Sequence, residues 1–160
     1  MRTVLENTID YKEIIQFITF NIDNEIFAIN IAHVQEIVKN KFITSVPLTK
    51  KYVDGLMNIR GSIIPIINLR KKMLKEKIED TEDTRIVILN FNKRIVGFIV
   101  DNMNQVIRVN KEHIQPPTSS NQDTFMESVY VTKDKFTDDD DENIEKFISI
   151  LDVNRLMEVE

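Results

Sequence analysis

The chain contains no cysteine and no tryptophan, and only three glycines, four prolines and two histidines among 160 residues. Without cysteine there is no disulfide framework, no thiolate nucleophile and no sulfur-ligated metal, and a reducing compartment is the simplest setting. Gly55, Gly61 and Gly97 include no pair at the spacing of a dinucleotide or phosphate loop, which excludes nucleotide binding by those routes. His33 and His113 are far apart and form no metal motif. No serine occupies a strand-to-helix glycine elbow. Apolar runs such as Ile63–Ile67 are far too short to span a bilayer, and no basic region followed by an apolar stretch opens the chain. These absences lead to the expectation of a protein that is not an enzyme, with no cofactor and no metal.

What is present is a globular composition, 42% hydrophobic and 29% charged. The net charge of −5 is uneven. Asp138 to Asp141 with Glu142 supply five of the 26 acidic residues, leaving 21 against 21 basic ones, so the body is neutral. That run lacks the calcium-loop pattern and reads as a solvated loop, placed at 133–143. An alternative function, a small β-barrel module binding RNA or ribosomal surfaces, requires a basic, aromatic-rich face that a neutral body does not provide.

Residues 1–12 read as a flexible tail and 13–160 as one domain. Ile14 to Ile22 alternates as a strand, Asp23-Asn24 is turn chemistry and Glu25 to Ile29 returns as a hairpin. Asn30 is a helix cap, and Ile31, Val34, Ile37 and Val38 fall at helical spacing, so a helix is predicted there. Lys41 to Val46 reads as a short strand ended by Pro47, and Thr49 to Val53 as one helical turn. Arg85 to Phe91 and Arg94 to Asp101 form a second hairpin through Asn92-Lys93, and Met103 to Val109 is another strand. Phe125 to Thr132 and Glu145 to Leu151 are strands, followed by a short helix from Val153 to Met157 capped by Asp152. Nine or ten short strands with little helix suggest small antiparallel barrels or a sandwich. No internal repeat is evident.

The most informative segment runs from Gly55 to Arg70. Two apolar extended runs flank Arg60-Gly61-Ser62, so a strand turns there and the turn presents an arginine. Nothing in the segment can cut, transfer or reduce. It reads as a presentation surface.

The chain resembles the CheW family of bacterial chemotaxis coupling proteins over roughly residues 15 to 157. The resemblance rests on ordered pieces: Phe17-Ile18-Thr19-Phe20, Phe27-Ala28-Ile29, Val34-Gln35-Glu36-Ile37, Pro47, Gly55, Asn58-Ile59-Arg60-Gly61, Ile64 to Arg70, Val96 to Asp101, Val106, and Ile148-Ser149-Ile150-Leu151-Asp152. It implies an all-β fold with a few short helices, in which two five-stranded SH3-like β-barrel subdomains share a hydrophobic core. It also implies a non-enzymatic adaptor coupling the helical-hairpin tips of chemoreceptors to the regulatory domain of a CheA-type histidine kinase. Other CheW-like subunits in rings are further implied partners, with no nucleic acid. The implied setting is the cytoplasm, at membrane-associated receptor arrays and without direct membrane contact.

The resemblance places Val34, Glu36, Gly55, Asn58, Arg60, Gly97, Met103 and Val106 at a receptor-binding groove. Gly55 and Gly97 would let a helix approach closely, or would end a turn and relieve strand packing. Val34, Met103 and Val106 would line the groove or belong to ordinary core. Glu36 and Arg60 would pair at the groove mouth, and Asn58 would support the turn or touch the partner. The chain departs from the family pattern at Asn68, where aspartate is common, at Ser128, where glycine is frequent, and in the acidic insertion from Asp134 to Asn143.

Overall fold

A computed structural model describes residues 13–39, 42–76, 78–117, 125–136, 140–141 and 143–158. The 1–12 tail falls outside the described residues, as do parts of the acidic run. Among the described residues are eleven strands and two short α-helices: β1 (Ile14–Ile22), β2 (Glu25–Asn30), β3 (Val34–Lys39), β4 (Val53–Ile59), β5 (Ser62–Asn68), α1 (Leu69–Lys72), β6 (Arg85–Phe91), β7 (Arg94–Val100), β8 (Asn102–Asn110), β9 (Ile114–Gln115), β10 (Met126–Thr132), β11 (Lys146–Leu151) and α2 (Val153–Leu156). They form one sheet in the order β8-β1-β2-β11-β10-β9 and a second in the order β3-β6-β7-β5-β4. The predicted all-β class and paired barrels are correct, and the two-residue β9 gives the first sheet its sixth strand.

The hydrophobic pattern explains why both sheets close. Along β6, Ile86 and Ile88 join a cluster inside the second barrel with Met57, Ile64, Ile66 and Ile99. Their neighbours Val87 and Leu89 point the other way, into the core shared by both sheets. In β1, Phe17 enters the first barrel's own cluster while Ile18, Phe20 and Ile22 enter the shared core. Strands buried on both faces need continuous apolar runs, which is what Ile86 to Leu89 supplies. Each such side chain, fully buried, contributes roughly 1.5–3 kcal/mol.

The two sheets follow one plan. Each centres on an antiparallel hairpin, β1–β2 or β6–β7. The strand that follows the other hairpin flanks it: β8 lies against β1, and β3 against β6. On the opposite side a second hairpin joins through a parallel contact, β11 with β2 and β5 with β7. The irregularities match as well. Register shifts occur between Val53 and Gly55 and between Met126 and Ser128, and again between Val34 and Glu36 and at Ile18/Phe20. Each closing helix is fixed alike: Asn68 N–H donates to the Tyr52 carbonyl at 2.7 Å, and Asp152 N–H to the Phe125 carbonyl at 2.7 Å. The protein is therefore two related halves, about 13–73 and 85–157, that have exchanged their leading hairpins. The repeat absent from the sequence reading is present in the backbone.

Two local expectations are overturned. The segment predicted as a helix after Asn30 is a single 3-10 turn, Ile31–His33, in which Asn30 Oδ1 accepts from Ala32 N–H at 2.9 Å. Val34–Lys39 then runs as a strand, because pairing with β6 satisfies its backbone and its β-branched residues suit a pleated surface. The expected strand from Lys41 to Val46 reduces to one bridge, Thr44 with Leu56, and residues 40–41 lie outside the described residues. At 49–53 the predicted turn is one hydrogen bond, Val53 N–H to the Lys50 carbonyl at 3.0 Å, before β4 begins. Asp152 caps α2 as expected, accepting from Arg155 N–H.

Two glycines answer to close packing. Gly55 has φ +148°, and a Cβ there would lie 2.1 Å from the Thr44 carbonyl oxygen. A Cβ on Gly97 would lie 2.7 Å from Ile66 Cδ1, inside the second barrel. Ala28, buried in the first barrel, takes the matching position beside β11 as Gly97 does beside β5. Arg70, buried at the start of α1, ties three segments together. Its guanidinium donates to Asp23 at 2.5 Å, to Asp101 at 2.7 Å and, through Nε, to the Glu76 carbonyl at 2.9 Å. The hydrogen bond from Arg70 holds the Asp23 carboxyl below the usual carboxylate range.

Three outcomes follow from this architecture. Fragments 1–78 and 79–160 should each lack cooperative unfolding alone and recover it on mixing, as followed by circular dichroism, because neither half holds a complete sheet. Gly55→Ala should cost roughly 2 kcal/mol or more in urea unfolding, since the Thr44 carbonyl is backbone and cannot move aside cheaply. Asp23 has a lowered folded-state pKa, so its contribution is fully present above the unfolded carboxylate range and is lost as pH falls through the folded value. Arg70→Met should therefore lower the urea midpoint at pH 7, and the gap to the unaltered chain should narrow in acid.

Candidate functional site

The outer strands of the two sheets, β3 and β8, occupy equivalent places in the two halves. Val34 opposes Leu89, and Met103 opposes Phe20; both are half-buried and pack on the shared core. Val106, two register positions on, is 47% exposed, and its counterpart on β3, Ile37, is 37% exposed. Each outer strand thus anchors one side chain in the core and shows one apolar side chain to solvent. Val34 and Met103 combine the core role with a rim position, and Val106 is open.

Beside β3 stands the β4–β5 turn. Arg60 and Gly61 have φ values of 52° and 87°, so both central residues are left-handed and the two-residue turn matches the twist of its strands. Asn58 Oδ1 accepts from Gly61 N–H at 3.0 Å, which supports the turn from within. An arginine in the left-handed region carries a steric cost that glycine or asparagine would avoid. The side chain it displays is 82% exposed, and Arg60 Nη2 lies 3.2 Å from Glu36 Oε2 on β3. The expected pair is formed. An exposed pair of this kind contributes only about 0–1 kcal/mol to folding. Its consequence is orientation: Glu36 occupies one edge of the guanidinium and leaves further N–H donors directed outward.

The remaining predicted positions are inside. Gly97 faces the second barrel's cluster, and Gly55 lies against the Thr44 carbonyl, so both are packing positions in the free protein. The other six, Val34, Glu36, Asn58, Arg60, Met103 and Val106, lie on or beside the β3 and β8 edges. Ile37 was missed. Its signal was the alternation of Glu36 and Val38 against Ile37 and Lys39, which the helical reading of the segment concealed.

Comparison with known proteins identifies the family. A family profile described as CheW-like domain matches residues 16–160. Chemotaxis protein CheW of Helicobacter pylori is 39% identical over 107 residues, covering 67% of this chain and 65% of that protein. The counterpart in Klebsiella aerogenes is 37% identical over 63% of this chain and 61% of its own length, so the chain spans just under two thirds of these two relatives. Chemotaxis protein CheW of Bacillus subtilis is 30% identical over 91% of this chain and 88% of that protein. Among solved structures, the crystal structure of scaffolding protein TtCheW from Thermoanaerobacter tengcongensis has a TM-score of 0.76 and 33% identity, covering 91% of this chain and 94% of that one. With two curled sheets, an arginine-bearing turn beside β3 and a match from residue 16 to residue 160, this protein belongs to the CheW-like domain family.

Proposed function

We propose that this chain is a non-enzymatic chemotaxis adaptor that couples the cytoplasmic tips of chemoreceptors to a CheA-type histidine kinase. The observation that carries the reading is the pairing of a strained, displayed Arg60 with Glu36 beside an outer strand bearing exposed apolar side chains. A helical hairpin docks by placing apolar side chains against such a surface while a few polar anchors fix its rotation. Val34, Ile37, Met103 and Val106 supply the apolar contacts. Arg60 supplies donors for carbonyls and carboxylates at the receptor tip, and Asn58 holds its turn. Gly55 and Gly97 act indirectly, by keeping β4 and β7 in place beneath the surface.

The kinase side calls for a second kind of contact. Ile63 on β5 and Phe147 on β11 are equivalent positions in the two halves, and both are largely exposed. An apolar outer position on each barrel suits packing against a homologous barrel, whether from a kinase regulatory domain or from another CheW-like subunit in a ring. No described helix is long and apolar enough to cross a membrane, so attachment to a receptor array would come through the receptor.

Arg60→Glu should weaken capture of a receptor-tip fragment in a pull-down by about tenfold or more, reversing one charge-assisted contact. The melting temperature should stay within a few degrees of the unaltered chain, because the side chain is exposed. Unchanged capture would remove the groove assignment, and a parallel pull-down with the kinase regulatory domain should be unaffected.

A further inference from the structure

Lys72 ends α1 with its side chain turned inward, and the residue is only 9% exposed. Its ammonium donates to two main-chain carbonyls of the C-terminal segment, Leu156 at 2.8 Å and Glu158 at 2.5 Å. Two rings cover it, Tyr52 at 4.8 Å and Phe125 at 5.3 Å from the nitrogen. Carbonyls and ring faces are dipoles and quadrupoles; none carries a formal charge. Among the described residues no carboxylate lies within ion-pair distance of Lys72, and the longer-range attraction of Glu158 is opposed by Arg94. A buried cation with no counter-ion is costly, because desolvation is not repaid by a full opposite charge.

Lys72 also lines a cavity of about 450 Å³, shared with Phe125. Phe27, Met73, Met126 and Leu151 give it apolar walls, and the two methionines make those walls adaptable. Lys75 lies at the rim, already paired with Glu25 at 3.0 Å. The cavity is built from both exchanged halves: β2 and α1 contribute one side, and β10 and β11 the other. Its volume falls in the range of small-molecule sites.

We propose that this cavity binds a small aliphatic carboxylate, its tail against the methionine-rich wall and its carboxylate accepting from the Lys72 ammonium. The ligand supplies a counter-charge that no described residue provides at ion-pair distance, and it braces the two halves against each other. Burial holds the Lys72 amine at a pKa of about 8, well below its ordinary value, so the group is largely neutral above that pH. A bound carboxylate favours the ammonium, so above that pH binding takes up a proton. The charged groups facing this site are Lys75 and Glu25 at the rim, with Glu158 and Arg94 from the C-terminal side and β7. Lys75 is held above its ordinary value by the hydrogen bond to Glu25 and stays charged throughout.

Octanoate and 1-octanol, which share a tail and differ in charge, separate the proposal from simple greasiness. Titration calorimetry should show octanoate binding at least about tenfold tighter than octanol at pH 7, the worth of one buried charge-assisted contact. Octanoate should raise the melting temperature, and its affinity should fall from pH 7 to 9.5 while that of octanol stays level. Lys72→Met should abolish the preference for the acid, and Met126→Trp, which fills the cavity from the β10 side, should abolish binding of both. Equal binding of acid and alcohol, no octanoate binding, or an octanoate affinity independent of pH would each overturn the proposal. The pH series uses the unaltered chain, so it decides the matter even if Lys72→Met does not fold.

Discussion

The shared core between the sheets is the constraint on which the rest depends. Ile18, Phe20 and Ile29 reach it from one half of the chain, Val87, Leu89 and Phe98 from the other, and neither set is covered without its opposite. Hairpin exchange removes the choice between folding one barrel and folding both. The first barrel needs β8, β10 and β11 from the second half, and the second needs β3, β4 and β5 from the first. Exchange of elements between identical chains is a low-cost route to dimers. Here the same exchange is contained within one polypeptide, and the long connection after α1 carries the chain from one half to the other. Such pairings are distant in sequence, so their closure entropy must be met before the core can form.

How much of this was legible follows from whether the signal was local. Tight hairpins were, because Asp23-Asn24, Arg60-Gly61 and Asn92-Lys93 are adjacent turn residues between alternating or apolar runs. Helix caps were, because Asp152 with Val153–Leu156 is a self-contained pattern. The segment after Asn30 was misread because Ile31, Val34 and Ile37 satisfy a helical period while β6, the partner that decides otherwise, begins only at Arg85. The repeat was invisible for a related reason. Ile66-Ile67-Asn68-Leu69 and Ile150-Leu151-Asp152-Val153 match in hydrophobicity and capping and share only one identity, so the two halves preserve physics with little sequence in common. At the candidate site, Arg60 was legible as a residue presented by a turn, whereas Glu36 and its pairing with Arg60 came from the family resemblance. Composition offered no reason to pair them.

The departures from the family pattern become intelligible on the same frame. Asn68 caps α1 through Oδ1, accepting from Lys71 N–H at 3.2 Å, and its Nδ2 donates to Asp54 at 3.3 Å. An aspartate would cap equally well but would meet the Asp54 carboxylate as a like charge. Asp54 is also bound by Lys71 at 2.8 Å, so the amide completes a local set that a second carboxylate would overload. Ser128 is the counterpart of Gly55 at the matching register shift. It tolerates a side chain because its φ is not positive, and its partner strand β9 pairs through Val129 and Tyr130. The acidic insertion is not wholly solvated: Phe136 packs on the first barrel's cluster, and its N–H donates to Asp140 at 2.6 Å.

A scaffold with internal two-fold character can present the same surface twice, and this chain does not. The β4–β5 connection is a two-residue turn that holds Arg60 against Glu36, whereas the equivalent β10–β11 connection spans residues 133–145 and carries the acidic run. The outer strands remain matched in shape, Val34 with Met103 and Ile37 with Val106, so apolar contact alone would not tell a docking helix which way to lie. The polar decoration breaks that degeneracy. One side carries an exposed left-handed arginine in a turn closed by Asn58 and Gly61, whereas the connection on the opposite barrel is predominantly acidic in sequence, with Lys133 and Lys135 its only basic residues. Under the proposed docking role, the turns would set a partner's orientation, and the strands that the two halves hold in common would supply its affinity.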